Sequence, residues 1–597
     1  MRKLSLVAIC AFCAAASAET LVVNGDFEQI DEGGKARNWY LPQYYKAMRG
    51  EGSNGSGGLV YENRTDPTYY QNASQRVDMR PGCSYRFGGW VKIDEISGKG
   101  GAALFVSWFD SDGKYLGETQ TPLLRKPTDG WVKLEAISKP VAMNAAKASV
   151  ATVVQRGVLG RIAFDKMYVE RYVRKPVVGV YTDAYRSEAS QGKVSFAAAL
   201  TPEAFPAGKK VEVKFAAKRP DGSVFSLELS RYEADEAHAS AQVGKFGVGT
   251  NTVVCAAIVE GTVVGKAECS FVRTLEPTKR AVAIDRHGRT VVDGELFFPL
   301  GMYSGQMTAE KVARYKESDF NCLMQYGSPT YAQMKLFEDA GLKVIYDIAS
   351  QYQAADKGTN HVCGAIRRFA KSPSLLAWYI YDEKPTSMLP LLEARQRLVE
   401  ENDPNHPTWC AQDIFVETRH YLGACDVFGG DPYPVSKRPV SVASDAMRIE
   451  TEALMGMRPI WQVVQAFGWN WVQKSQSDQR RPTEAEMRNM AWQAIAGGAR
   501  GLIFYNFGYY CPGTKHSEDV EALWAEMKRI ASELKKHERI LLFAETEMIA
   551  SDKLPEGVVG RVFRDGDEKW QLLVNTTGGH IEKFDLKPLG VKITQLN

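Results

Sequence analysis

Apolar segments of two kinds alternate along residues 276–540, and this alternation restricts the fold more than any other feature of the sequence. Short, strand-like apolar runs are separated by longer runs with the spacing of amphipathic helices. The strand-like runs are Leu296–Tyr303, Asn321–Tyr326, Lys343–Ile348, Leu375–Asp382, Thr408–Asp413, Asp426–Asp431, Pro459–Phe467 and Gly501–Phe507. Strands that alternate with helices form parallel sheets, and eight such units over about 265 residues predict a closed (β/α)8 TIM barrel.

The segments on either side of the predicted barrel have the pattern of antiparallel sheets. Residues 19–173 and 174–275 contain short strand-like runs separated by turn residues, as in β-sandwiches, and the second segment suits an immunoglobulin-like domain. Residues 541–597 return to strand-like runs and predict a small C-terminal β-domain. The chain of 597 residues is therefore predicted to be multidomain, with all-β N-terminal sandwiches, a barrel and a terminal sheet.

Residues 1–18 have the three parts of a secretory signal peptide. Arg2 and Lys3 give a charged start, a short apolar run follows, and Ala16-Ser17-Ala18 is a small-residue cleavage site. The apolar run is shorter than the ~20 residues that a membrane span needs, and no later segment is apolar enough to span. We therefore expect an exported protein, periplasmic or extracellular, without a transmembrane segment.

Charge and motif content exclude several classes of function. The net charge is +3, from 74 basic and 71 acidic residues without a basic stripe, so nucleic acid is not an expected partner. No GxGxxG or GxxxxGK[ST] pattern opens a helix, which leaves nucleotide binding without support. The His residues form no HxH or HExxH pattern, and the Cys residues beyond the signal peptide form no CxxC pair. We expect no cofactor for catalysis.

Polar and aromatic residues follow most of the predicted barrel strands. In a (β/α)8 barrel the active site forms at the carboxyl ends of the strands. The candidates there are Tyr326, Asp347, Asp382, Glu383, Asp431, Tyr433, Gln465, Trp469 and Asn506. Carboxylates for acid–base chemistry, amides for hydroxyls and rings for stacking predict a carbohydrate site. Structural interpretations stand beside this one, because Asp431 can initiate a turn, Trp469 can be loop core, and Asp382 and Glu383 face opposite sides of an extended strand.

The run Trp378-Tyr-Ile-Tyr-Asp-Glu-Lys-Pro385 resembles the fourth-strand signature of clan-A (β/α)8 glycoside hydrolases. By this resemblance Glu383 is the proton donor, with Lys384 a small departure from the signature. The larger departure is in strand seven, where the clan has a nucleophilic Glu and this sequence has Gln462 and Gln465. The sequence also resembles uncharacterised bacterial barrels of this type, in which Gln is usual at strand seven. The resemblance implies an exported glycoside hydrolase that acts on a poly- or oligosaccharide.

An amide cannot form a stable glycosyl ester, so a different second group must complete the reaction. One hypothesis makes Asp431 the base for water in an inverting reaction, which requires carboxyl groups ~6.5–9.5 Å apart. The other is substrate assistance, in which an acetamido sugar supplies the nucleophile and Gln465 orients it. An alternative from another class is a non-catalytic glycan-binding protein on a degenerate barrel. The missing Glu of strand seven favours this alternative, and Glu383 opposes it.

The N-terminal segment resembles carbohydrate-binding modules of the family 4, 9 and 22 type. The residues that carry the resemblance are Leu21-Val-Val-Asn-Gly-Asp-Phe-Glu28, Trp39, Tyr70-Gln71, Arg80-Pro-Gly-Cys-Ser-Tyr-Arg-Phe87, Gly130-Trp-Val-Lys133 and Ile162-Ala-Phe-Asp165. In such modules the Asn-Gly-x-Phe-Glu strand and a late Asp often share a structural Ca²⁺. The resemblance therefore implies Glu28 and Asp165 as ligands, together with backbone carbonyls. The alternative is that both residues only cap turns.

Overall fold

The computed structural model describes residues 20–172, 175–206, 208–350, 358–472, 480–510, 520–578 and 592–593. The predicted signal peptide, residues 1–18, lies outside the described residues. The chain divides into two compact units on either side of the Lys175–Pro176 bond. The predicted fold class is confirmed, with antiparallel β-sheets first, then a parallel barrel, then a small C-terminal sheet. Within the described ranges, no helix is both long enough and apolar enough to cross a membrane.

The N-terminal unit is built from two antiparallel sheets. The first has its strands in the order Tyr45–Met48, Gly58–Asn63, Leu159–Tyr172, Ser84–Ser97 and Val132–Ile137. The second has the order Ser74–Arg76, Lys147–Val154, Ala102–Phe109 and Tyr115–Gln120. Tyr85 and Phe87 are buried and Arg86 between them is exposed, because successive side chains of a strand point to opposite faces. This alternation places the core of the unit between its sheets.

The second unit begins with another β-sandwich. One sheet has the order Val177–Thr182, Lys193–Leu200, Glu236–Gln242 and Glu228–Tyr232. The other has the order Glu188–Ala189, Thr262–Arg273, Gly249–Val259, Val211–Lys218 and Val224–Ser226. A buried ion pair joins this sandwich to the barrel, since the Arg186 guanidinium lies 3.1 Å from Asp426 Oδ2 and each side chain is 6% exposed. Breaking such a pair leaves an uncompensated charge, so it fixes the two parts to each other.

The barrel is closed by eight parallel strands. Seven of them are paired in one sheet: barrel strands 1 to 5 are Leu300–Ser304, Cys322–Gln325, Lys343–Asp347, Leu375–Asp382 and Thr408–Ala411, and strands 7 and 8 are Trp461–Gln465 and Gly501–Tyr505. Strand 6, residues 426–431, completes the circle. It forms parallel bridges to strand 5 through Trp409 and Val427 and to strand 7 through Phe428 and Ile460. All carboxyl ends therefore lie at one mouth.

Helices of the described ranges follow the barrel strands. They are Ala309–Tyr315, Tyr331–Asp339, Gly358–Phe369, Leu389–Asn402, Val442–Ala453, Trp469–Val472, Glu484–Gly497, Val520–Lys536 and Glu538–Leu541. Capping residues in the sequence account for two of their starts. Thr330 forms a capping box with Gln333, and Thr483 forms one with Glu486. In each box the side chains satisfy backbone N–H groups that the first helical turn leaves free.

The predicted first barrel strand, Leu296–Tyr303, divides into two elements. Glu295–Phe297 belongs to a three-stranded antiparallel sheet with Val282–Ile284 and Thr290–Val292. The barrel strand begins only at Leu300. Pro299 lies between the two and has no N–H to donate, so the ladder is interrupted there.

Aromatic rings fill the barrel, and a small sheet follows it. Trp409 is fully buried, and its ring lies 5.7 Å from Tyr303, 5.3 Å from Tyr379 and 6.4 Å from Trp461 between centroids. Because such bulky rings fill the interior of the barrel, a site for substrate can form only at the carboxyl ends of the strands. The C-terminal sheet has the order Glu545–Met548, Val558–Asp565, Glu568–Asn575 and Lys592–Ile593.

Candidate active site

Glu383 lies directly after barrel strand 4, at the point where the chain turns out of the sheet. Its φ is +44°, in the left-handed region that few non-glycine residues occupy. The Glu383 N–H donates to Ala411 O on strand 5 at 3.0 Å, which holds the turn against the barrel. The side chain is exposed at the mouth. A residue with this backbone conformation costs about 1–3 kcal/mol and marks a position that its surroundings determine.

Two side chains hold the main chain that follows Glu383. Gln412 Nε2 donates to Lys384 O at 2.7 Å, and the Tyr421 hydroxyl donates to the same oxygen at 2.6 Å. Lys384 Nζ donates to Asp382 O at 2.6 Å, so the lysine folds back onto its own strand. Lys384, which departs from the signature, therefore adds a hydrogen bond that stabilises this turn. Gln412 and Tyr421 position Glu383 through its neighbour.

Asp431 lies at the carboxyl end of strand 6 and is only 5% exposed. The preceding Gly429 is required by close packing, because a Cβ there would lie 2.7 Å from Trp409 Nε1. The Asp431 N–H points towards Gln412 O at 3.4 Å, which ties strand 6 to strand 5. Asp431 Oδ1 has no conventional donor within the described part of the chain.

The carboxyl groups of Glu383 and Asp431 lie close enough for each to change the pKa of the other. Burial and the adjacent negative charge of Glu383 raise the pKa of Asp431 well above its ordinary value. Partial burial also raises the pKa of Glu383, but the hydrogen bond with Asp431 opposes that rise. The pair therefore shares one proton, held mainly on the buried Asp431, since two adjacent carboxyls cannot both ionise readily.

This contact differs from the wider separation that the sequence led us to expect. An inverting arrangement at ~6.5–9.5 Å leaves room for a water molecule between the carboxyls. Strand 6 lies two places from strand 4, but the left-handed turn at Glu383 directs its side chain towards Asp431. Two carboxyl groups in direct interaction do not have the spacing of an inverting pair.

Other acidic side chains surround this pair. Burial raises the pKa of Asp382, and the nearby Tyr379 hydroxyl opposes the rise. The negative charges of Asp382 and Asp413 raise the pKa of Asp431 further. Asp347 is buried, and its carboxylate accepts N–H bonds from Gly327 at 2.9 Å and Ser350 at 3.1 Å. Asp347 thus shapes the loops at the mouth and has both oxygens engaged.

Aromatic rings line the mouth beside the carboxyl pair. The Tyr505 ring lies 6.4 Å from Tyr326 and 5.9 Å from Tyr433, and Tyr433 lies 6.2 Å from Trp469. Tyr326, Tyr433, Tyr505 and Trp469 are all partly exposed. Burial raises the pKa of Tyr326, Tyr433 and Tyr505, and the acidic groups of the mouth, Asp431 among them, add to each rise, which places these rings close to the pair. Partly exposed rings beside carboxyls form a surface on which a sugar can stack.

The two predicted amides differ in what they contact. Gln465 is fully buried, and its side chain is used by the main chain: Nε2 donates to Val435 O at 2.6 Å and Phe467 O at 3.1 Å, while Oε1 accepts from Val435 N at 2.8 Å. Asn506 is partly exposed, and its buried Oδ1 has no donor among the described residues. Gln465 therefore braces the loop after strand 6, whereas Asn506 keeps a free acceptor near Tyr505.

Glu28 and Asp165 of the N-terminal unit both bind the loop at residues 53–57. Glu28 Oε1 accepts from Gly57 N at 2.7 Å, and Asp165 Oδ2 accepts from Ser53 N at 2.8 Å and Ser53 Oγ at 2.7 Å. No group of three or more His, Cys, Asp or Glu side chains is arranged for a metal ion in the described ranges. A cation here would rely on these two carboxylates and on hydroxyl and carbonyl oxygens. Calcium binding stays a prediction.

The residues that sequence reasoning missed are those that position the pair. Tyr421 lies in the connection after strand 5, in the 3-10 segment Phe415–Tyr421, where no periodic pattern singles it out. Gln412 stands at the end of a predicted strand, and its amide donates to the neighbouring turn at Lys384. Tyr505 ends strand 8 directly before Asn506, and that strand end by itself predicts its position at the mouth, although the sequence assigns it no role.

Comparison with known proteins gives distant likenesses in fold. No family model and no curated protein matches the sequence. A β-glucuronidase from Ruminococcus gnavus has 10% identity, with 81% of this chain and 98% of that chain covered and a TM-score of 0.32. A GH2 β-galacturonidase from Eisenbergiella tayi has 11% identity, with coverages of 82% and 97% and a TM-score of 0.31. Similarity this low supports no statement about the site.

Proposed function

We propose that this protein is an exported glycoside hydrolase that cleaves a poly- or oligosaccharide at the mouth of its barrel. One observation carries the proposal: the exposed carboxyl of Glu383 contacts the buried carboxyl of Asp431 beside a row of partly exposed aromatic rings. A shared proton next to a stacking surface is what protonation of a departing sugar oxygen requires.

In this proposal Glu383 hands the proton to the glycosidic oxygen. The proton passes from Asp431 to Glu383 and then to the leaving oxygen as the bond from that oxygen to the anomeric carbon breaks. Both carboxyls are then ionised, and the water that completes hydrolysis returns one proton to the pair. Tyr433 and Trp469 stack on the sugar, while Tyr326 and Asn506 contact its hydroxyls.

The direct contact between the carboxyls favours substrate assistance over water attack. An inverting reaction requires the pair to separate so that a water molecule can enter. An acetamido sugar brings its own nucleophile, so the pair can remain in contact while Glu383 donates. The two routes give opposite anomers of the first product, and NMR of the fresh reaction mixture distinguishes them. Gln465 does not orient the acetamido group, because its amide donates to the main chain of Val435 and Phe467.

Turnover by matched variants tests the proposal. Wild type, Glu383→Gln, Asp431→Asn and the control Glu338→Gln are assayed on aryl glycosides with and without a 2-acetamido group and on a panel of polysaccharides. Glu338 is exposed on a barrel helix and shares the residue type but not the site. We expect E383Q and D431N to lose roughly 10²–10⁴-fold in kcat and E338Q to match wild type. Full activity in folded E383Q would overturn the proposal.

A non-catalytic glycan-binding protein is the second candidate. The observation that favours it is Gln465, which stands on strand 7 without a carboxylate and whose amide is consumed by the main chain. Such a protein would bind a glycan from the panel with no turnover by wild type, and E383Q would bind it equally well. Loss of turnover in E383Q with retained binding supports the enzyme instead.

Export is the remaining part of the proposal. The expected mature chain begins at Glu19, after the predicted cleavage site. Expression of the full chain in a bacterial host, fractionation of the cells and N-terminal sequencing test this. Intact Met1 in the cytoplasmic fraction alone would contradict export and leave the proposed chemistry unaffected.

A further inference from the structure

Glu450 is a buried carboxyl that the proposed reaction does not use. It lies on the helix Val442–Ala453, between barrel strands 6 and 7, and is 0% exposed. Neither of its carboxyl oxygens has a well-aligned hydrogen-bond partner among the described residues. A carboxyl buried in this way costs free energy, so its position calls for an explanation.

The Glu450 carboxyl lies against the main chain directly before Asp431. A Cβ added at Gly430 would lie 1.6 Å from Glu450 Oε1, so the carboxyl occupies the space that any side chain at 430 would need. This close approach explains the second glycine of the Gly429-Gly430 pair. The glycine pair at the end of strand 6 therefore accommodates Trp409 on one side and Glu450 on the other.

Gln462 on strand 7 links Glu450 to strand 6. Its Oε1 accepts from Gly430 N at 3.1 Å, and its side chain is 1% exposed. The Gln462 amide also lies beside the Glu450 carboxyl and lowers its pKa, but burial dominates and raises that pKa well above the ordinary value. Glu450 is therefore a neutral acid, and it can remain buried without a cation.

We propose that Glu450 is a positioning residue for Asp431: it braces Gln462 and the Gly430 main chain, and these set where Asp431 meets Glu383. The inference rests on the proposed function for its effect on turnover. Its structural part, the coupling of Glu450 to the Asp431 carboxyl, does not depend on any substrate.

Three variants of the full chain distinguish the effect of the shape of the side chain at position 450 from the effect of its polar group. Glu450→Gln keeps the shape and neutrality, Glu450→Leu keeps the approximate volume without the polar group, and Glu452→Gln is a matched control on the exposed side of the same helix. We expect E450Q and E452Q to keep kcat within roughly threefold of wild type and E450L to lose about tenfold in kcat with little change in KM. Far-UV circular dichroism and thermal unfolding establish that each variant is folded.

Infrared spectra at neutral pH provide a readout that needs no substrate. Protonated carboxyls absorb apart from carboxylates, so E450Q identifies the Glu450 band and D431N identifies the Asp431 band. We expect the Asp431 band to shift in E450L and to stay in place in E452Q. If E450L does not fold, Gln462→Met removes the side chain that connects Glu450 to Gly430. We then expect Q462M to show the same loss in kcat and the same shift of the Asp431 band.

The outcomes distinguish the two proposals. A folded E450L or Q462M with an unshifted Asp431 band and wild-type kcat overturns the positioning role. A wild type that hydrolyses nothing on the glycan panel overturns the proposed function, and the infrared comparison then decides the positioning role by itself.

Discussion

The carboxyl of Glu383 meets the carboxyl of Asp431 across the mouth of the barrel, and the two differ sharply in exposure. Glu383 is reached by solvent, whereas Asp431 is 5% exposed and keeps the shared proton. A substrate can thus contact the first residue while the second stores the proton behind it.

Activity should fall at alkaline pH, because the proton that the reaction needs leaves as pH rises through the raised pKa of the pair. The negative charge of Asp382 contributes to that rise on both residues. We therefore expect Asp382→Asn to move the alkaline limb of the kcat–pH profile to lower pH, by up to about one unit. The profile of E338Q should overlie that of wild type, and a limb that moves to higher pH in D382N would contradict this assignment.

Replacement of Asp431 should stabilise the protein at neutral pH. The folded-state pKa of Asp431 is raised above its ordinary value of 3.8, so stability is lost as pH rises from that value towards the folded-state pKa. Asp431→Asn removes this penalty, by about 1.4 kcal/mol for each pKa unit of the rise. Urea unfolding should show the gain at neutral pH and a much smaller one below about pH 4.

The control for this stability measurement is Asp112→Asn, at an exposed position in the N-terminal unit. It should change the free energy of unfolding equally little at both pH values. A D431N protein that is less stable than wild type at neutral pH would mean that Asp431 is ionised and held by contacts other than Glu383.

The two bonds to Lys384 O should matter for turnover more than for stability. Tyr421→Phe removes one of them, at a cost of about 1 kcal/mol in the free energy of unfolding. Because Glu383 depends on this turn, kcat should fall about tenfold with KM nearly unchanged. Tyr331→Phe, at an exposed tyrosine, is the control. We expect the fall in kcat of the double variant Y421F/Gln412→Leu to differ from the combined effects of the two single variants. Strictly additive effects, expressed as activation free energies, would argue against a joint role of the two side chains in holding Lys384 O.

Calcium should stabilise the N-terminal unit if Glu28 and Asp165 share an ion. We expect the chelator EGTA to lower the Tm of that unit and added Ca²⁺ to restore it, with a gain of about 2.7 kcal/mol when free Ca²⁺ is 100 times the Kd. Asp165→Asn should abolish the response, and D112N should retain it. An unchanged Tm in wild type under EGTA would leave the hydrogen bonds to the 53–57 loop as the whole role of these residues.

Much of the fold could be predicted because its signals are local. Alternating strand and helix periods identify a parallel barrel, and turn residues between short runs identify the sandwiches. The boundary at Leu296–Tyr303 failed because both halves are apolar, and only Pro299 separates a hairpin strand from a barrel strand. Strand 6 was predicted although it pairs by isolated bridges, since its apolar run is as clear as the others.

The site was harder to predict because its geometry depends on the backbone. The alternation rule correctly states that Asp382 and Glu383 diverge, but the left-handed φ of Glu383 decides which of them meets Asp431. Gln465 is the last residue of strand 7 and looks available for substrate, yet a buried amide must satisfy its hydrogen bonds, and the main chain of Val435 does so. These side-chain directions depend on contacts between segments that are distant in the sequence, and the residues at the strand ends do not by themselves predict such contacts.

A crystal structure of E383Q with a bound oligosaccharide will show whether position 383 faces a glycosidic bond. We expect a sugar ring stacked on Tyr433 or Trp469, with the amide at position 383 about 2.6–3.2 Å from the glycosidic oxygen. A glycan bound elsewhere on the chain, or a sugar at the mouth whose glycosidic oxygen lies out of reach of position 383, would contradict it.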